Sequence, residues 1–158
     1  MIYRPATIWE LTEVGRLWAE MVKDIDKIAI EDPMPEMYLR EIFESYGSIT
    51  TIVYIAEDPE TNNIIGFISG EIGAIPYTKR LTCHGEALYV KPEYRNKGVN
   101  FKLMEEFIKE ALTRDVDKLI DHIEFDTSFK GAPIKAYERM GFEPVQLRYR
   151  KEVNNEQP

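Results

Sequence analysis

One cysteine and two histidines are the whole complement of those residue types in the 158-residue chain. A single cysteine, Cys83, excludes an internal disulfide. Cys83 and His84 are neighbours on a predicted strand, so their side chains leave opposite faces and form no local dyad. The cysteine therefore reads as structural, and with His84 and His122 it offers no zinc-ligand spacing, so no metal is expected. No apolar run approaches the ~20 residues of a membrane-spanning helix. Positive charge is the minority sign: 20 Lys and Arg stand against 28 Asp and Glu, a formal net charge of −8. That balance argues against nucleic acid or an anionic membrane surface as partner. Glu10 and Glu13 fall where a signal peptide would carry its apolar stretch, so a cytoplasmic location is expected.

What is present is an ordinary globular balance, 44% hydrophobic and 30% charged, in a length that suits one domain. Charge is segregated along the chain. Between Lys91 and Lys102 four cations face one anion, a local +3; between Asp24 and Glu44 seven anions face two cations, a local −5. The first segment suits an anionic ligand and the second a cationic one, although solvated helix faces give the same pattern.

Periodicity supplies the elements. Ile2–Arg4 reads as a short strand, with Pro5 keeping the next amide out of a ladder. From Thr7, apolar residues at Ile8, Leu11, Val14, Leu17, Trp18, Met21, Val22 and Ile25 follow the spacing of an amphipathic helix. Trp18 reads as core and Trp9 as core or rim. A second helix is predicted from Glu36 to Tyr46, stopped by Gly47. Ile49–Ala56 and Ile64–Ile72 form a predicted antiparallel hairpin, and Thr82–Val90 a third strand ended by Pro92. A helix over Gly98–Leu112 buries Phe101, Leu103, Met104, Phe107, Ile108, Ala111 and Leu112. A strand over Lys118–Phe125, a helix over Pro133–Met140 and a strand over Val145–Val153 complete the order. The expectation is one mixed α/β domain over residues 1–153, with 154–158 a frayed tail.

The segment Leu88–Asn100 carries the chemistry. Pro92 stops the strand, Gly98 lets a ligand approach the main chain, and the first turn of the following helix presents unpaired N–H groups under a positive dipole end. With Arg95 and Lys97 beside it, this is a phosphate cradle. Neither the Walker-A loop nor the Gly-x-Gly-x-x-Gly fingerprint is present.

Here the sequence resembles a family. Val90-x-Pro92-x-Tyr94-Arg95-x-x-Gly98 is similar to motif A of the GNAT superfamily of N-acetyltransferases, and Ala136-Tyr-Glu-Arg-Met-Gly-Phe142 is similar to its motif B. The motifs stand in the family's order, and the element order matches the family fold: a mostly antiparallel sheet with splayed parallel strands and helices on both faces. The resemblance implies acetyl-coenzyme A as co-substrate. Backbone groups of Leu88, Tyr89 and Val90 would bind the pantetheine arm and acetyl carbonyl. Main-chain amides of Arg95, Asn96, Lys97, Gly98, Val99 and Asn100 would hold the pyrophosphate, and Tyr137 would protonate the departing thiolate. Two positions depart from the pattern. Asn100 replaces a glycine or alanine, and Lys130 replaces an asparagine, where it would meet a coenzyme A phosphate or amide instead.

Family members transfer the acetyl group directly to a deprotonated amine in a ternary complex, so a base is needed. Glu86 precedes Leu88 and Val90 at period two and is the leading candidate; Glu124 on the neighbouring strand is a weaker one. His122 reads as a core-edge histidine rather than a proton shuttle. The acidic Asp24–Glu44 segment lies where the family lines its acceptor side, which suits a small cationic amine or a basic peptide terminus. A homodimer is compatible with the sequence. The alternative reading is a coenzyme-A-binding sensor or scaffold with little turnover; Asn100 and Lys130 favour it and Tyr137 opposes it.

Overall fold

Among the described residues five strands in the order β1-β2-β3-β4-β5 make the central sheet of the computed structural model, each neighbour in space being a neighbour in sequence. Residues 1–25, 40, 44, 50–125 and 134–145 are described. The chain divides into two compact units, Met1–Asp126 and Thr127–Pro158. In the first, β1 (Ile2–Pro5), β2 (Thr51–Asp58), β3 (Asn63–Ala74) and β4 (Leu81–Val90) pair antiparallel, while β5 (Ile120–Phe125) runs parallel to β4. The change of direction follows from the connections. Short turns return β2 to β3 and β3 to β4, but the β4-to-β5 crossover carries a helix, α2 (Val99–Arg114).

Two helices cover opposite faces, and β2 shows how its sequence serves both. Val53 and Ile55 join Leu11, Val14 and Leu17 of α1 (Leu11–Ile25) in one buried cluster with Phe67, Ala87 and Tyr89. The intervening Tyr54 sends its hydroxyl to Glu110 Oε2 of α2 at 3.2 Å, and Arg114 of α2 donates to Thr51 O at 2.6 Å. Alternation of period two thus divides one strand between two helices. Each fully buried aliphatic side chain in these layers stabilises the fold by about 1.5–3 kcal/mol.

Thr7 opens the first helical segment. Its amide and hydroxyl both donate to Glu10 Oε2, at 2.7 and 2.8 Å. Arg4 reaches the same glutamate at 2.9 Å (Nη1) and 2.6 Å (Nη2) and also pairs with Glu57 of β2, so the edge strand, the helix start and β2 share one ion cluster. Glu10 is held at a pKa of about 2, below the ordinary carboxylate range, chiefly by its bonds from Arg4.

Several expectations need correction. Pro5 does not release the chain: Ala6 N donates to Val53 O at 2.9 Å, because a proline removes only its own amide. The first turn after Thr7 is 3₁₀ (Ile8–Glu10), which rotates Ile8 and Trp9 outward; Trp9 is 89% exposed. In α2, Val99, Leu103, Met104, Phe107 and Ala111 are buried, Phe101 and Ile108 are half-buried, and Leu112 is exposed at the end of the stripe. Trp18 packs on the α1 cluster as expected. The helix expected over Glu36–Tyr46 and the strand expected over Val145–Val153 lie outside the described residues, apart from helical Arg40 and Glu44 and an exposed, irregular Val145.

In the second unit α3 (Ile134–Arg139) is short. Gly141, at φ +85°, ends it, and the amides of Met140 and Phe142 both donate to Tyr137 O at 3.0 Å.

Candidate active site

Near its middle β4 changes its phase. The β3 register steps from Ser69↔Ala87 to Gly70↔Gly85, so Glu86 is the extra residue of a β-bulge. Before the bulge Gly85 faces the ring of Phe125, which stands 5.7 Å from that of Phe107 in α2. After it, Ala87 and Tyr89 belong to the α1 cluster. Two odd-numbered runs therefore face opposite sides of the sheet, and the reversal falls at Glu86, whose side chain is exposed. The described parallel register with β5 runs from Leu81↔Ile120 to Gly85↔Phe125, the last described residue of β5. Below this point β4 is a shared interior strand; above it, Glu86–Val90 has only its β3 side in the described register.

The close fit at the bulge is made with glycines. A Cβ on Gly70 would lie 2.1 Å from His84 O and 2.7 Å from Phe107 Cζ, and one on Gly85 would lie 2.2 Å from Phe125 Cε1. Cys83, just below, is buried, and burial pushes its thiol up to about 12, which makes it a packing residue rather than a nucleophile.

From Val90 the chain enters a 3₁₀ turn, Pro92–Tyr94, closed by the amides of Tyr94 on Lys91 O (2.9 Å) and Arg95 on Pro92 O (3.2 Å). Asn96 then takes φ +61° and Gly98 φ +79°, a left-handed residue directly before α2. The first amide to bond back along α2 across this junction is that of Lys102, to Gly98 O at 3.1 Å. Those of Val99, Asn100 and Phe101 fall in the first turn, where a helix has no acceptor to offer. A Cβ on Gly98 would meet nothing within 4 Å, so this glycine is there for its backbone angle and leaves open space above it.

The basic side chains of the junction are engaged. Arg95 Nε donates to Val90 O at 2.8 Å, its Nη2 pairs with Asp24 Oδ2 at 3.0 Å, and its guanidinium lies 5.4 Å over the ring of Tyr89. Tyr89 Oη donates to Asp24 Oδ2 at 3.2 Å, with Glu20 Oε2 at 3.5 Å. Burial, with Asp24 beside it, holds that hydroxyl well above the usual tyrosine range. Lys97 Nζ lies 5.1 Å over Tyr94, whose hydroxyl donates to Asp58 Oδ2 at 2.8 Å. Asp24 belongs by sequence to the acidic segment expected on the acceptor side. The structure instead bonds it to Arg95 and Tyr89, a partnership across 71 and 65 positions that no local pattern signals.

Of the residues singled out by sequence, Leu88, Tyr89, Val90 and Arg95–Asn100 come together at this one junction, with Glu86 at its lower end. Glu124 sits on β5 beside His84, with its Oε2 at 3.9 Å from His122 Nε2; His122 is an exposed residue rather than a core one. In the second unit Tyr137 is buried and meets Phe142 edge-on, ring centres 6.0 Å apart. Lys130, and Asp26, Glu31 and Asp32 of the acidic segment, lie outside the described residues. Among the described residues no group of three or more His, Cys, Asp or Glu could hold a metal ion, and no helix is long and apolar enough to cross a membrane.

The strand, bulge, turn and left-handed glycine leading into a helix form one junction suited to an anionic ligand, and comparison with known proteins names the family. The acetyltransferase (GNAT) domain model matches residues 50–144, and the chain belongs to the GNAT acetyltransferase family. No curated protein matches it in sequence. Among solved structures it is similar to an acetyltransferase of Trypanosoma brucei, with TM-score 0.71, 17% identity and coverage of 96% of this chain and 99% of that one. A glucosamine-6-phosphate N-acetyltransferase from Arabidopsis thaliana gives 0.71 at 16% identity, covering 97% and 98%. An aminoglycoside acetyltransferase from an uncultured soil metagenomic sample, in complex with sisomicin, gives 0.67 at 11%, covering 97% and 96%. At such identities the likeness is one of fold.

Proposed function

We propose that the protein is an acetyl-coenzyme-A-dependent N-acetyltransferase acting on a primary amine of a small cationic molecule. One observation carries the reading: β4 runs through a 3₁₀ turn and left-handed Gly98 straight into the first turn of α2, whose leading amides have no acceptor within the helix. The main chain of residues 88–90 fits the amide-rich pantetheine arm by hydrogen-bonding as a neighbouring strand would. A helix start with spare N–H groups and open space at Gly98 fits a pyrophosphate. In this reading Leu88, Tyr89 and Val90 bind the arm, the amides of Arg95, Asn96, Lys97, Gly98, Val99 and Asn100 bind the phosphates, and Lys130 adds a cation. Bound acetyl-coenzyme A supplies the activated thioester.

Glu86 is assigned the base, directly or through water: it is an exposed carboxylate at the bulge, two residues before Leu88. Tyr137 is assigned the acid for the leaving thiolate, on the strength of its motif B position. The amine attacks the acetyl carbonyl directly while both substrates are bound. A cationic acceptor is supported by the −5 charge of the Asp24–Glu44 segment, which is still −4 when Asp24, paired with Arg95, is set aside. The solved relatives named for glucosamine-6-phosphate and for an aminoglycoside lend the amine class further support.

The test is a melting experiment followed by turnover. Acetyl-coenzyme A should raise Tm by mass action, and Arg95→Glu with Gly98→Trp should abolish the shift while leaving a folded protein. A panel of neutral and cationic amines, read as thiol released, then finds the acceptor. Absence of any shift in the unmodified protein refutes cofactor binding at this site.

A further inference from the structure

We infer that Asp24 is a positioning residue for the cofactor loop: it holds the Arg95 guanidinium against Tyr89, so that this arginine acts as a clasp between α1 and the β4–α2 turn rather than as a phosphate ligand. The inference rests on the acetyl-coenzyme A reading above.

The geometry is that of a knot with three ends. Arg95 Nε fastens the last carbonyl of β4, Val90 O, at 2.8 Å; its Nη2 fastens Asp24 at 3.0 Å; its flat face lies 5.4 Å over Tyr89. Asp24 in turn receives the Tyr89 hydroxyl at 3.2 Å. A planar guanidinium with its donors in a fixed fork serves such a knot better than lysine, whose charge is a point on a flexible stem. What the knot fixes is the backbone path from Val90 through the turn. The amides of Arg95–Asn100, including Asn96 at φ +61° and Gly98 at φ +79°, depend on that path to converge. Two of its five N–H donors go to the carbonyl and the carboxylate, and the ring contact fixes the plane of the group, so its position is set by α1 and β4.

Two roles for Arg95 predict opposite signs for one substitution. If Arg95 binds phosphate directly, Asp24 is a competing anion beside a polyanionic ligand, and Asp24→Asn should tighten acetyl-coenzyme A binding. If Arg95 is a clasp, the same change loosens the loop and weakens binding although it removes a negative charge. For a half-exposed ion pair the loss should reach up to about fivefold in Kd.

The experiment measures Kd for acetyl-coenzyme A by calorimetry for wild type, Asp24→Asn, Arg95→Gln and the double variant, with the melting curve of each apo protein as a fold check. The clasp predicts that both single variants weaken binding and that the double variant is no worse than Arg95→Gln, because one linkage is removed once. Asp24→Glu, which keeps the carboxylate, should recover part of the affinity, an outcome that loss of bulk packing would not give. Tighter or unchanged binding by Asp24→Asn overturns the inference, as does full additivity in the double variant. Should Asp24→Asn fail to fold, Tyr89→Phe, which removes one donor to Asp24 and keeps the ring, carries the same sign. Failure of wild type to bind acetyl-coenzyme A would overturn the functional proposal instead, so the two failures are distinguishable.

Discussion

Gly98 separates what the fold requires from what a ligand requires. Its φ of +79° and ψ of 5° lie in the left-handed region, and a Cβ there would meet no atom within 4 Å. Gly98→Ala therefore adds no clash. It costs about 1–2 kcal/mol for placing an L side chain in that region, less about 0.4–1 kcal/mol regained by stiffening the unfolded chain. The net loss is about 1 kcal/mol, or about 2–4 °C in Tm for a chain of this size. Asparagine tolerates the left-handed region, as Asn96 does in the same loop at φ +61°, so Gly98→Asn should lose about half as much. Apo melting temperatures should thus rank glycine, asparagine, alanine. The increment added by saturating acetyl-coenzyme A should follow a different order. Both variants place a Cβ in the open space above the loop, so both should lose most of it. An alanine variant as stable as wild type would refute the backbone argument. Two variants keeping the full increment would refute close approach of the cofactor at Gly98.

Gly70 should be far less forgiving: Gly70→Ala forces a Cβ to 2.1 Å from His84 O and should cost at least about 3 kcal/mol in chemical denaturation, whereas Gly73→Ala, with nothing within 4 Å, should be nearly neutral. Tyr137→Phe keeps the buried ring and its edge-on contact with Phe142, so kcat should fall by about 10²-fold with Kd for acetyl-coenzyme A unchanged; an unaltered kcat at saturating acceptor makes the hydroxyl a packing group. Glu10, depressed to about 2, contributes stability that is complete above its unfolded pKa near 4.5 and is lost as pH falls from there toward 2. Glu10→Gln should remove that part of the acid-unfolding profile and lower stability at neutral pH; an unchanged profile would show that the Arg4 cluster is not coupled to folding.

The order of described elements was legible because each rests on local chemistry: Thr7 before a periodic apolar run, the Asp58–Asn63 turn between β-branched strands, Pro92 and Gly98 bracketing a turn. Element ends moved by a residue or two, as helix and strand ends do. What was not legible has two physical causes. The bulge reverses the inside–outside pattern at Glu86, and Gly85, with no side chain, conceals the reversal; its one local trace is a glycine inside a strand pattern. The Asp24–Arg95 link joins residues 71 positions apart, so composition revealed the charges but not their partners. Ile8 and Leu112 misled because each lies at the end of a periodic run, where a 3₁₀ turn or the last helical turn rotates the stripe away from the core.

The bulge at Glu86 decides which way the rest of β4 faces. A regular β4 would keep Cys83, Gly85, Ala87 and Tyr89 on one face, and Tyr89 would then stand on the α2 side. With one extra residue at Glu86, Tyr89 instead points to α1, where its hydroxyl reaches Asp24 and its ring carries Arg95. The same extra residue increases local twist beside Gly85, which pairs with Phe125 of β5. One insertion thus sets the facing of the strand proposed for the pantetheine arm and also aims the tyrosine that anchors the loop proposed for the phosphates. On this account the two halves of the cofactor site cannot be altered independently at Glu86. Deleting that residue would restore the alternation at the cost of both, whereas Glu86→Gln would leave both in place and remove only the carboxylate.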